Sequence, residues 1–174
     1  LRRFSHWSVK TRQMRWLMEK TLGISQERKL PLVSRRSFLR IAQRKKWTRP
    51  LRSGEQKVLY FVDVYANWYD VQLAEAFVAI LEHNRVPVFV HPEQLPSGMP
   101  LIVAGSVDKA KQVAARNVSI LADAVRHGYH IVTTEPSAAL CLSHEYPQLL
   151  DDEDARLVAQ NVTEACTYLW RRHQ

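Results

Sequence analysis

An α/β domain, with a parallel sheet of βαβ units flanked by helices and a basic helical arm in front, is the fold the sequence predicts. Two observations carry that expectation. From Lys57 onward, short β-branched and aromatic runs alternate with longer segments whose apolar residues recur at helical spacing. That alternation is the pattern of βαβ units, whose right-handed crossovers bury a parallel sheet between helices. Charge also changes sign along the chain. Residues 1–57 hold 17 Lys/Arg against three acids (Glu19, Glu27, Glu55), a local +14, whereas the remaining 117 residues hold eight against 14, a local −6. The net +8 therefore averages a basic arm, residues 1–56, and a mildly acidic domain, residues 57–174.

In the arm, Val9–Leu22 shows Met14, Leu17, Met18 and Leu22 along one side, and Arg35–Lys46 shows Phe38, Ile41 and Ala42. Both read as weakly amphipathic helices. Pro31 breaks the chain between them, Ser34 is the expected cap of the second, and Arg49–Gly54 reads as a linker.

In the domain, Val58–Val62 is the first expected strand, followed by a helix over Val71–His83. Val86–Val90 is the second strand. His91–Gly105 is rich in turn residues around an apolar Leu101–Ala104. A long helix opens at Ser106 and stops at Gly128, with Ala110, Ala114, Asn117, Leu121 and Val125 on one face. His130–Thr134 is the third strand, and Pro136 starts a helix at the position where proline costs nothing. One last helix is expected from Asp151 on, with Ala155, Val158, Ala159, Val162, Ala165, Cys166 and Leu169 forming its stripe. Strand ends at the carboxyl edge then gather Asp63–Asp70, His91–Met99 and Thr134–Ala138.

Several classes of chemistry are excluded or disfavoured. Cys141 and Cys166 are too few for a disulfide framework or a four-thiolate site, and both fall in apolar-periodic segments where buried free thiols are expected. No run of 18 apolar residues is present. No glycine-rich phosphate loop or Walker lysine follows a strand, and the histidines form no helical ligand pair. His127 and His130, on either side of Gly128, are expected to face solvent. Asp151–Asp154 lacks the spacing and glycine of a calcium loop and reads as first-turn acids on a helix dipole. Ser97 with His91 and an acid lacks the strand–turn–helix elbow of a hydrolase nucleophile. The chain opens on Leu-Arg-Arg rather than Met, which suggests a piece of a longer protein.

Five segments occur in a telling order: Tyr60-Phe-Val-Asp-Val-Tyr-Ala-Asn67, Gln94-Leu-Pro-Ser-Gly-Met-Pro100, Ala114-Ala-Arg-Asn117, Thr134-Glu-Pro-Ser-Ala138 and Glu145-Tyr-Pro-Gln-Leu-Leu150. Together they resemble the cysteine-rich (CCG) domain of the heterodisulfide reductases. The same domain occurs in anaerobic glycerol-3-phosphate dehydrogenase, in the iron–sulfur component of glycolate oxidase and in FAD-linked oxidases. The resemblance covers about two-thirds of the chain, from Lys57 onward. It implies cysteines after the first strand, in a Cys-Cys-Gly after the second and in a Cys-Pro-Ser-Cys after the third. Those positions read Val64, Pro96-Ser97-Gly98 and Glu135-Pro136-Ser137-Ala138 here. An iron–sulfur cluster needs about four thiolates, so the resemblance implies a degenerate copy: no cofactor in this segment, with FAD and iron–sulfur clusters in adjoining domains or partner subunits. The arm then reads as the connector that follows a ferredoxin-like part.

The expected site is a polar pocket at the carboxyl edge formed by Asp63, Asn67, Tyr69, His91, Ser97, Gly98, Glu135 and Ser137. Asp63 and Glu135 are candidate acid and base there. The bland alternative is that these residues cap loops and helices, with Glu135 favouring the positive end of the helix it precedes. For the arm, docking on a flavin- or iron–sulfur-bearing partner is favoured over an anionic membrane surface, and nucleic acid is disfavoured. The expected function is an accessory electron-transfer or docking module of a flavin-linked dehydrogenase or oxidase. It is expected in the cytoplasm, where the arm could hold it at the inner membrane. The alternative is a non-redox module that binds an organic acid or docks on a membrane.

Overall fold

The computed structural model describes residues 11–28, 31–51 and 57–173. The chain divides into two compact units, Leu1–Arg35 and Arg36–Gln174. In the first, α1 (Arg12–Leu22) ends at Gly23, whose left-handed backbone (φ +68°) lets its N–H return to the Glu19 carbonyl. No described residue of α1 is buried. The Val9–Lys10 start expected for this helix lies outside the described residues.

The second unit begins with α2 (Phe38–Arg44), shorter than the expected Arg35–Lys46. Its cap is Ser37, not Ser34: the Ser37 hydroxyl accepts the Arg40 N–H at 3.4 Å. Phe38 and Ala42 are fully buried. Phe38 meets Tyr60 edge-on at 5.5 Å and stacks on Trp47 at 5.9 Å, and Tyr60 contacts Phe77 at 5.0 Å. Trp47 is tied down as well, donating its indole N–H to Glu82 at 2.8 Å while its carbonyl accepts the Val90 N–H. Residues 36–51 are thus part of the α/β unit. The expected boundary at 56/57 borders residues 52–56, which lie outside the described residues.

The remaining elements are β1 (Lys57–Tyr60), α3 (Val64–Trp68), α4 (Val71–His83), β2 (Val88–Phe89), α5 (Met99–Val103), α6 (Val107–Arg126), β3 (Tyr129–Thr133) and α7 (Pro136–Leu140). A wider π turn (Cys141–Glu145) joins α7 to α8 (Tyr146–Leu150). Then follow α9 (Glu153–Gln160), β4 (Val162–Glu164) and α10 (Ala165–Arg172). The four strands are all parallel, in the order β2-β1-β3-β4. Side chains alternate across β1: Val58 and Tyr60 enter the core beneath α2 and α4, whereas Leu59 and Phe61 enter the core formed with α6 and α9. Burial on both faces explains why these strands read as continuous apolar runs.

Two expectations fail on the same segment. The single helix from Asp151 is two helices with β4 between them, and Val162 lies in the strand rather than on a helical stripe. β4 pairs with β3 through Ile131↔Val162, Val132↔Thr163 and Thr133↔Glu164. Spacing alone misleads here because Ala155 and Val158 do face the core from α9, and Ala165 does so from α10. The intervening Val162 and Thr163, both β-branched, satisfy the open edge of β3 instead. The turn-rich His91–Gly105 also contains a helix, α5, entered through Gly98 at φ +82°. A Cβ at Gly98 would stand 3.3 Å from Val113 Cγ1 and require a backbone rare for other residues.

Replacing Phe38 with Ala should lower the unfolding free energy of the full chain by about 3–5 kcal/mol in urea titration. An unchanged midpoint would place α2 outside the cooperative unit.

Candidate functional site

At the carboxyl edge of the sheet, the end of β1 delivers Asp63. This carboxylate is 4 % exposed and works in two directions. Oδ1 accepts the Val64 N–H at 2.8 Å, capping α3, and the Ser97 N–H at 3.0 Å. Oδ2 accepts the Ser97 hydroxyl at 2.5 Å. The loop after β2 is thereby clamped to the loop after β1 by charge-assisted bonds to one ion. Ser97 is committed to Asp63, which removes the His91–Ser97 pairing a triad would need. His91 is half-buried against Phe89 at 5.7 Å, its Nδ1 accepts the Glu93 N–H, and burial holds it below its ordinary pKa.

Asn67 is buried, and its Oδ1 accepts the Leu39 N–H at 3.1 Å, tying α3 to α2. Tyr69 is on the outer side, stacked on Tyr65 at 6.1 Å. Ser137 is exposed in the first turn of α7. The structure thus joins Asp63, Ser97 and Gly98 in one buried loop junction.

Glu135 corrects its expected role. Its side chain makes no cap on its own helix, α7. Both oxygens instead accept N–H groups from the start of α3, Ala66 at 2.9 Å and Tyr65 at 3.2 Å, so the β3 loop is tied to the β1 loop. Burial holds the Glu135 carboxyl above the usual range; the Ala66 N–H opposes this and nearby Asp63 reinforces it.

Three residues not included among the expected site complete the edge. Asn117 is fully buried: Oδ1 accepts the Leu95 N–H, while Nδ2 donates to the Leu95 and Pro96 carbonyls and to the Tyr146 hydroxyl. Tyr146 in turn donates to the Ser97 carbonyl at 2.9 Å. Gln94 accepts the Val62 N–H through Oε1 at 2.9 Å, but its Nε2 is buried without a partner. The signal for Asn117 was an amide inside an otherwise apolar helical stripe, since a buried amide is kept only where its bonds are met.

The two thiols differ. Cys141 is buried, donates to the Ser97 carbonyl at 3.4 Å, and is pushed up to about 12, by burial first and Asp63 second. Cys166 is exposed, against the expectation that both are buried. His130 likewise departs from the expected solvent-facing position: it is partly buried, bonded to Thr163 at 2.8 Å and stacked on Tyr168 at 5.7 Å. In the acidic run, Asp152 caps α9 and Asp154 pairs with Arg126, in keeping with a structural role. Among the described residues, no three His, Cys, Asp or Glu side chains converge as a metal site requires, and no helix is long and apolar enough to cross a membrane.

The chain is similar in sequence to one of the subunits of anaerobic glycerol-3-phosphate dehydrogenase from Escherichia coli, strains K12 and O157:H7. It is 27% identical to each over 164 residues, covering 91% of this chain and 40% of the relative. It is also 26% identical over 97 residues to a D-2-hydroxyglutarate dehydrogenase of Pantoea ananatis (strain AJ13355), covering 56% of this chain and 9% of that protein. The chain therefore spans about 40% of the length of the Escherichia coli relatives and is related to subunits of dehydrogenases. No family model and no solved structure matches it.

Because the folded state holds the Glu135 proton more tightly than the unfolded chain does, ionising this group costs stability as pH rises from the ordinary glutamate value through the raised native one. Glu135→Gln removes that loss. Urea midpoints measured from about pH 4 to about pH 7 should show wild type declining relative to Glu135→Gln; a constant difference would contradict a raised carboxyl.

Proposed function

We propose that residues 57–174 are a degenerate cysteine-rich (CCG) domain, acting as an accessory docking module of a flavin-linked dehydrogenase or oxidase, and holding no cluster of its own. The supporting observation is the filling of the carboxyl edge. The positions at which the resemblance implies thiolates are occupied by Val64, Pro96, Ser97, Glu135 and Ala138. Of these, Ser97 and Glu135 have their polar atoms turned to the loops themselves, through Asp63 and the α3 N–H groups. Val and Ala offer iron no donor, and Cys141, the thiol packed against Ser97, is buried and donates to the Ser97 carbonyl. These residues do not fit an iron–sulfur cluster. What the bonds do accomplish is to fix three loops in one rigid surface, which is what a docking face needs. The Escherichia coli relatives are themselves one subunit of a dehydrogenase, which supports a protein partner for this chain. FAD and intact clusters belong, in this reading, to that partner or to adjoining sequence.

Iron and acid-labile sulfide should be far below one cluster per chain in protein purified anaerobically. A stoichiometric cluster would refute the reading.

A second reading, docking on an anionic membrane, draws on α1. Among its described residues none is buried, Trp16 is 53 % exposed and Leu22 66 %, and Arg12, Arg15 and Lys20 lie on the same helix. Such a helix lies in the interface with its basic side chains toward anionic headgroups. Vesicles containing phosphatidylserine should then pull the full chain down at low salt and release it at high salt, and Trp16→Ala should weaken the retained fraction. No sedimentation at low salt would dismiss this reading.

A further inference from the structure

The amino edge of the sheet, opposite the loops described above, contains an open cavity of about 820 Å3. We propose that it binds a small phosphorylated ligand, with Lys57 and Arg171 facing the phosphate dianion and Thr163 and Arg172 at its margins. The site is independent of the proposed docking function.

The cavity is lined by Lys57, Asn84, Gly128, His130, Thr163 and Tyr168, closed by Arg171, Arg172 and His173 at the end of α10. Among the described residues that line the cavity there is no carboxylate, although this part of the chain is acidic on balance. Like charges gathered in one concavity repel one another and focus a positive field, which an anion relieves. Last-turn arginines also oppose the helix dipole of α10, which accounts for Arg171 and Arg172 on structural grounds. It does not account for Lys57 on β1 or His130 on β3, which come from strands and reach the same cavity.

Several of these groups are held in place. The Lys57 ammonium sits over the Tyr129 ring at 4.7 Å, and Arg172 donates to the Asn84 carbonyl at 3.2 Å. His130 bonds Thr163 at 2.8 Å and stacks on Tyr168 with the rings inclined by 20°. That stack supplies a flat, partly apolar wall beside the cations. The His130 ring is held below its ordinary pKa by burial and then by Arg171, so the field at its position is already positive. The volume suits a small metabolite. A compact concavity with several donors matches a phosphate's three oxygens better than it matches an extended polyanion, and guanidinium groups pair with phosphate in forked geometry.

The test uses the full chain, isotope-labelled, in low-salt buffer, titrated with inorganic phosphate and with phenyl phosphate, and with chloride as the ionic control. Saturable NMR shifts are expected at Gly128, His130 and Thr163, with phenyl phosphate binding more tightly than phosphate. The His130 pKa should rise when phosphate is bound, because the added negative charge favours the imidazolium. Lys57→Met with Arg171→Gln should weaken binding by at least about tenfold with an unchanged urea midpoint. Arg171→Gln alone, at an exposed position, serves if the pair disturbs folding. Arg36→Gln with Arg40→Gln, elsewhere on the surface, should bind as wild type does. The proposal is overturned by shifts that only track chloride, by shifts centred on the basic residues of α1 or α2, or by full binding in the Arg171→Gln variant. Saturation by poly-glutamate but not by phosphate would also overturn it, in favour of an acidic polypeptide.

Discussion

A parallel sheet must be covered on both faces, because its crossovers leave no solvated side, and most of the molecule's second unit answers to that constraint. β1 is the strand on which the requirement is most severe. It pairs with β2 on one side and β3 on the other, and Val58, Leu59, Tyr60 and Phe61 are at most 1 % exposed. Alternate side chains must find separate cores. One is closed by α4 together with α2, whose Phe38 completes an aromatic run with Tyr60 and Phe77. The other is closed by α6, α9 and the π turn. This explains why a segment as basic as Arg36–Arg49 is built into the α/β unit. Its positive charge lies outward while Phe38 and Ala42 fill space that the sheet cannot leave open.

The same geometry brings three loops to the carboxyl edge, and their polar groups are joined rather than presented. Asp63 holds the β2 loop, Glu135 holds the start of α3, and Asn117 reaches from α6 to the Leu95–Pro96 carbonyls and Tyr146. These bonds meet backbone donors and acceptors of the three loops, and a buried one left unmet costs about 1–3 kcal/mol. The edge is therefore a structural junction. Cys141, packed beneath Ser97, shares that character, since an apolar setting beside a carboxylate disfavours its thiolate.

The sequence already determined the α/β class, three of the four strands, the long helix α6 with its buried face, and the gathering of Asp63, Ser97 and Glu135 at one edge. These follow from local facts: β-branched runs, helical periodicity, and the topological rule that loops after parallel strands share an edge. The tertiary structure decided where local pattern is ambiguous. Val162 and Thr163 fit a helical stripe and a strand equally well, and only the open edge of β3 selects the strand. Glu135 precedes a helix it does not cap because two unmet N–H groups on α3 come closer through the fold. Lys57, His130 and Arg171 are far apart in sequence, and no spacing rule could place them around one cavity. Periodicity describes what a segment can bury on its own; which partner satisfies a given edge, amide or charge is a property of the assembled chain.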